Sequence, residues 1–196
     1  MKGDDIFSCT LSNGLRVVHI ANDSEVAYCG LAVNAGSRDE LPGKWGLAHF
    51  VEHTIFKGTR RRRAWHIINR MERVGGELNA YTTKEETMVY SIFPREHFAR
   101  ATELIADLVA NSQFPAAELA KEREVVLDEV DSYLDSPAEA IYDDFEDLIW
   151  KGSALGHNIL GVEADLLTIT GDDCRDYLDR LYVPENMVFF ALGNMR

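Results

Sequence analysis

An α+β domain, with helices packed on one face of a mainly antiparallel sheet of about six strands, is the architecture this 196-residue sequence predicts. Two observations lead there. Segments with the two-residue alternation of strands come in pairs joined by short polar turns, not in the strict strand–helix alternation of a parallel sheet. Around those pairs stand six or seven segments whose apolar residues recur at helical spacing.

The elements follow in chain order. Phe7, Cys9 and Leu11 alternate with polar residues, and Asn13-Gly14 predicts a two-residue hairpin turn into a return strand over residues 15–20. EVAYCGLAVNAGS, from Glu25, reads as a third strand closed by Ala-Gly-Ser, and LPGKWG as a loop. Over residues 47–56, Leu47, Phe50, Val51 and Ile55 share one side of a helix. RRRAWHIINRMERVGG reads as a second helix, with Trp65, Ile68, Met71 and Val74 on its apolar face and Gly75-Gly76 ending it. ELNAYTTKEETMVYSIFP reads as two strands around TTKEE, the second stopped by Pro94. Phe98, Leu104, Ile105, Leu108 and Val109 mark a helix over residues 95–111. FPAAELAKEREVVLDEVDSYLDS predicts a long helix with Pro115 in its first turn, and Ser136-Pro137 opens another. After the loop KGSALGHNILG come a short helix, a break, a further helix and the strand NMVFFALGN. No linker or repeat interrupts the series, so residues 1–196 read as a single domain.

Composition excludes several function classes. Hydrophobic residues make up 46% and charged residues 27%, as in ordinary globular proteins. A net charge of −13 argues against a nucleic-acid partner, which needs a basic footprint. No apolar run is long enough to cross a bilayer, so no membrane partner is expected. Arg60 to Arg63 read as a solvated loop at a helix start. Cys9, Cys29 and Cys174 are odd in number and widely spaced, which speaks against a disulfide framework and fits a reducing, cytoplasmic setting. Cys29 is expected to be a buried small hydrophobe.

The chemistry concentrates in HFVEH. On a helix, His49 and His53 stand one turn apart on one face, so their imidazoles can converge on one metal ion. Two neutral imidazoles and a carboxylate suit tetrahedral zinc with one position left for water. Glu52 lies beside that face, where a general base for such a water belongs. The order H-x-x-E-H is the inverzincin signature. A third ligand is needed. In AKEREVVLDEVDSYL, Glu122 and Glu129 are seven apart and share a side, near Val125, Val126 and Val130. Spacing alone does not choose between them.

GLAHFVEHTIFKGT, then ERVGGELNAYTTKEETMVYSI, then KEREVVLDEV together resemble the M16 family of zinc metallopeptidases, the pitrilysin, insulin-degrading-enzyme and mitochondrial-processing-peptidase family. The resemblance runs over nearly the whole chain and is closest to the short bacterial members and the processing-peptidase branch; together with the cysteine usage it sets a bacterial cytoplasm as the expected location, with an organelle or the periplasm as the alternatives where a targeting segment has been removed. It implies one zinc ion per chain, held by His49, His53 and Glu129, with Glu52 as catalytic base and Glu122 supporting the site without ligating. It implies that substrate adds as a strand along GGELNAYT, with Gly76, Leu78, Asn79, Ala80 and Tyr81 as substrate-binding positions. His157 falls near the site but is not expected to ligate. The implied activity is zinc-dependent endoproteolysis of peptides or unfolded polypeptides. The alternatives are a non-catalytic core subunit of the same family, or a dedicated presequence-processing peptidase. Family members are usually built from two similar halves, so the chain reads as the N-terminal part of a longer two-half protein. Its expected partner is a second homologous half, in the same chain or in another subunit. By itself the chain is expected to cleave weakly or not at all.

Overall fold

The structure, a computed structural model, describes residues 5–194. Its strands are β1 (Asp5–Thr10), β2 (Arg16–Ala21), β3 (Val26–Val33), β4 (Glu77–Thr82), β5 (Thr87–Pro94) and β6 (Met187–Leu192). They form one sheet in the order β1-β2-β6-β3-β5-β4. Every pairing is antiparallel except that of β2 with β6, so the sheet is mixed with a strong antiparallel bias. Among the described residues the helices are α1 (Leu47–Thr54), α2 (Ala64–Glu72), α3 (Phe98–Asn111), α4 (Ala116–Leu134), α5 (Pro137–Ile149), α6 (Glu163–Leu166) and α7 (Gly171–Leu181). This is the α+β class expected from the pattern.

Strand alternation decides where the core lies. Ala27, Cys29, Leu31 and Val33 of β3 are buried, as are Val89 and Phe93 of β5, while Val26 and Tyr28 face outward. α3 covers the buried side with Leu104, Ile105 and Leu108, all fully enclosed. α1 lies between β4, α4 and α7 and buries Leu47, Ala48, Phe50 and Val51. The metal-motif helix is therefore held on three sides by packed elements.

Several local expectations need correction. The first hairpin turn is wider than Asn13-Gly14 implied: Leu11 N–H bonds Leu15 O at 2.8 Å, and residues 12–14 make a three-residue loop. Gly14, at φ +90°, takes the left-handed position such a loop requires. β1, an edge strand of the sheet, is exposed on both sides, with Ile6 and Phe7 in solvent. In α2 the buried residues are Ile67 and Met71, one turn apart, while Trp65 and Ile68 face outward. In α4, Val126 is buried and Val125 exposed. Arg62 is not solvated. It pairs with Glu103 at 2.7 Å and with the buried Asp107 at 2.5 Å, tying the loop before α2 to α3.

Candidate metal centre

α1 begins at Gly46, whose φ of +92° suits glycine, and a Cβ there would lie 2.6 Å from Leu160 O. The helix start carries backbone N–H groups without intrahelical partners. Glu40, buried, satisfies two of them: its carboxylate accepts from Gly46 N at 2.9 Å and Ala48 N at 2.7 Å. His157 Nε2 lies 3.0 Å from the same carboxylate, and its ring packs 4.1 Å from that of Trp45. The loop after α5 thus clamps the start of the helix that presents HFVEH. Burial raises the Glu40 carboxyl above its ordinary range, against the contact with His157 and the two backbone hydrogen bonds, which lower it.

One turn into α1, His49 and His53 bring their Nε2 atoms within 3.1 Å of each other. Glu129 Oε2, reaching across from α4, lies 3.4 Å from His53 Nε2 and 3.8 Å from His49 Nε2. Tetrahedral zinc with bonds of 2.0–2.1 Å sets its ligand atoms about 3.3 Å apart. The three donors match that spacing, and together they could hold a metal ion. Burial, and then the neighbouring His53, push His49 down to about 3, so its imidazole is neutral at physiological pH, the form that ligates. Glu122, seven residues before Glu129, meets the other nitrogen of His53: Nδ1 to Oε1 is 3.1 Å. Lys57 Nζ holds the second Glu122 oxygen at 2.6 Å.

Glu52 and His53 open onto a cleft of about 410 Å³. Burial raises the Glu52 carboxyl above its ordinary range, while hydrogen bonding to Thr82 and the charge of His53 act in the opposite direction. The opposite wall is β4. Among the described residues β4 pairs with β5 and has no strand on its other side, so its outer edge is open. Gly76, Leu78 and Asn79 line the cleft, whereas Ala80 and Tyr81 continue the edge strand beyond it. The sequence reading missed Phe56, Lys57, Ile68 and Glu72, which also line it. Phe56 and Lys57 sit in IFKGT, directly after the motif, where the turn following α1 carries them back beside the site.

Residues 16–163 match the family described as Insulinase (Peptidase family M16). The chain belongs to this M16 peptidase family. An M16 relative named as an uncharacterized zinc protease of Bacillus subtilis is 36% identical over 188 residues, which is 95% of this chain and 46% of the relative. The mitochondrial-processing peptidase subunit beta of Dictyostelium discoideum is 34% identical over 185 residues, 94% of this chain and 39% of that one. The crystal structure of a protease from Helicobacter pylori superposes with a TM-score of 0.93 at 26% identity, covering 98% of this chain and 47% of the other. The chain thus spans less than half the length of these M16 relatives.

Proposed function

We propose that the chain is the metal-binding half of a zinc endopeptidase that cleaves peptides or unfolded polypeptides. The observation that carries this reading is the convergence of His49, His53 and Glu129 beside Glu52, at a cleft walled by an open strand edge. Its relatives' names as zinc proteases point the same way. Zinc, when bound, supplies Lewis acidity that lowers the pKa of water and polarises a carbonyl.

The remaining roles belong to the chain. Glu52 accepts the proton of the attacking water and passes it to the leaving amine. A raised carboxyl suits that second, acid role. Substrate backbone pairs with the free edge of β4, from Gly76 through Leu78, Asn79, Ala80 and Tyr81, which explains how many sequences can be accepted. Glu122 holds His53 in the tautomer whose Nε2 is free to ligate. Glu72 and Glu77, on the rim of the cleft, favour basic side chains near the scissile bond. That preference, with processing-peptidase subunits among the relatives, supports presequence-like peptides as a second, narrower reading. A second M16-type half completes substrate positioning, a large part of peptidase catalysis.

The test is paired. Glu52→Gln in the complete protein is expected to retain zinc and lose peptide cleavage, and His53→Ala to lose both. Sustained turnover by Glu52→Gln, or full zinc occupancy in His53→Ala, overturns the assignment.

A further inference from the structure

Helix α2 borders two different concavities. Ile68 and Glu72 line the metal-site cleft. The adjacent row, Trp65, Asn69 and Arg73, lines a second cleft of about 310 Å³, to which α3 contributes Arg100. Arg61, Arg62 and Arg70 complete its basic wall. In a chain of net charge −13, a quarter of the 20 Lys and Arg residues meet at this one concavity. Glu103 and Asp107 stand behind the arginines without lining the cleft. Glu103 pairs with Arg62 at 2.7 Å, Arg70 at 2.8 Å and Arg61 at 3.7 Å, and Asp107 with Arg62 at 2.5 Å and Arg61 at 4.0 Å. Among the described residues Arg73 and Arg100 have no carboxylate partner. Arg73 lies over Trp65, 4.9 Å from the ring centre, and Arg100 donates to Arg70 O at 3.3 Å. Two carboxylates against five guanidinium groups leave the cleft strongly positive. Like charges held together on packed helices repel, and an anion among them relieves that repulsion.

We propose that this cleft is a binding site for a small ligand carrying two or more phosphate groups, held between α2 and α3. Guanidinium forks match pairs of phosphate oxygens and stay charged at any physiological pH. The volume corresponds to about ten water molecules, more than one tetrahedral anion fills. A long nucleic acid or an anionic membrane is disfavoured, because the rest of the chain carries the net negative charge and repels both. Arg73 covers one face of Trp65, yet the ring is still 57% exposed at the rim of the cleft, so a nucleoside joined to the phosphates has a surface to stack on. The site shares no residue with the metal-site cleft. Because α2 borders both, a ligand bridging α2 to α3 braces one wall of the metal-site cleft from behind.

The test is calorimetric titration of the complete gene product with tripolyphosphate and, in parallel, with ATP, at about 0.15 M salt. Saturable binding tighter than about 1 mM is expected for both. Tighter binding of ATP assigns the site to a nucleotide and equal binding to the phosphate chain alone; either result supports the proposal. The double variant Arg73→Ala, Arg100→Ala is expected to bind about tenfold more weakly, through loss of two charge-assisted contacts, with parental zinc content. Phosphates also chelate zinc, but that contribution is common to parent and variant, so the difference between them reads the cleft. Arg73 is exposed, and Arg73→Gln alone, expected to weaken binding about threefold, keeps the test decisive if the double variant does not fold. Absence of saturable binding by the parent, equal affinity in parent and arginine variants, or sulfate binding as tightly as tripolyphosphate at matched ionic strength overturns the proposal.

Discussion

His53 and Glu122 meet at 3.1 Å, through the imidazole nitrogen that points away from His49. A carboxylate at Nδ1 draws the ring proton there and leaves the Nε2 lone pair for a metal. Lys57 in turn holds the carboxylate, so the ring is oriented by a chain of two contacts. Glu122→Ala is expected to weaken zinc binding roughly 10- to 100-fold without abolishing it. Competition against a chromophoric chelator measures this directly, and an unchanged affinity would mean that His53 is oriented by its packing alone.

Glu40 controls the other end of the same helix. Glu40→Ala leaves the N–H groups of Gly46 and Ala48 in a buried site without an acceptor, which costs about 1–3 kcal/mol. Urea unfolding should show that loss, with a smaller one for Glu40→Gln, which keeps one acceptor. Equal losses for the two variants would show that the hydrogen bonds contribute nothing beyond packing.

Asp107 links stability to acid. Burial raises its carboxyl, but hydrogen bonds from Thr59, Arg62 and Asn111 outweigh that and hold it below the ordinary 3.8. The folded state therefore binds this proton less readily than the unfolded chain. The stabilisation is complete above pH 3.8 and is lost as pH falls through the lower folded value. Asp107→Asn is expected to be less stable than the parent at neutral pH, with the gap closing in acid. Denaturant titrations across that range decide it, and a gap independent of pH would contradict the assignment.

The rotation of α2 has a simple test. Ile67→Ala removes a fully enclosed side chain and should cost about 2–5 kcal/mol. Trp65→Ala forfeits a largely exposed face with its contacts to Arg73 and His66, about 0.5–1 kcal/mol. Thermal unfolding that ranked the two in the opposite order would mean the helix packs by its Trp65 side.

That pair also shows where sequence runs out. α2 carries Trp65, Ile67, Ile68 and Met71, so two different rows satisfy helical spacing, and only the sheet and α3 decide which is buried. α5 posed the same problem: its apolar row is plain in the sequence, but Lys84 sets the direction it faces from 59 residues before Asp143. Long-range pairing likewise hid Arg62, which reads as one of four loop arginines until Asp107 lies beside it. The hairpins, the long α4 and the burial of Cys29 needed only local pattern, and the paired His49 and His53 needed only helix pitch. Glu122 and Glu129 could not be ranked by spacing because both face His53. They differ in which ring nitrogen each approaches, and that depends on how α4 crosses α1.

The cysteines give the molecule a single chemical handle. Cys29 and Cys174 are fully enclosed, and burial above all pushes their thiols up to about 12, so neither reacts readily in the folded state. Cys9 is exposed on β1, the sheet edge farthest from β4. A maleimide dye added to the native chain at neutral pH therefore attaches at one place, remote from the cleft. Energy transfer from that dye to a labelled peptide would report occupancy of the β4 edge in real time, with no engineered cysteine and no disturbance of the residues being studied.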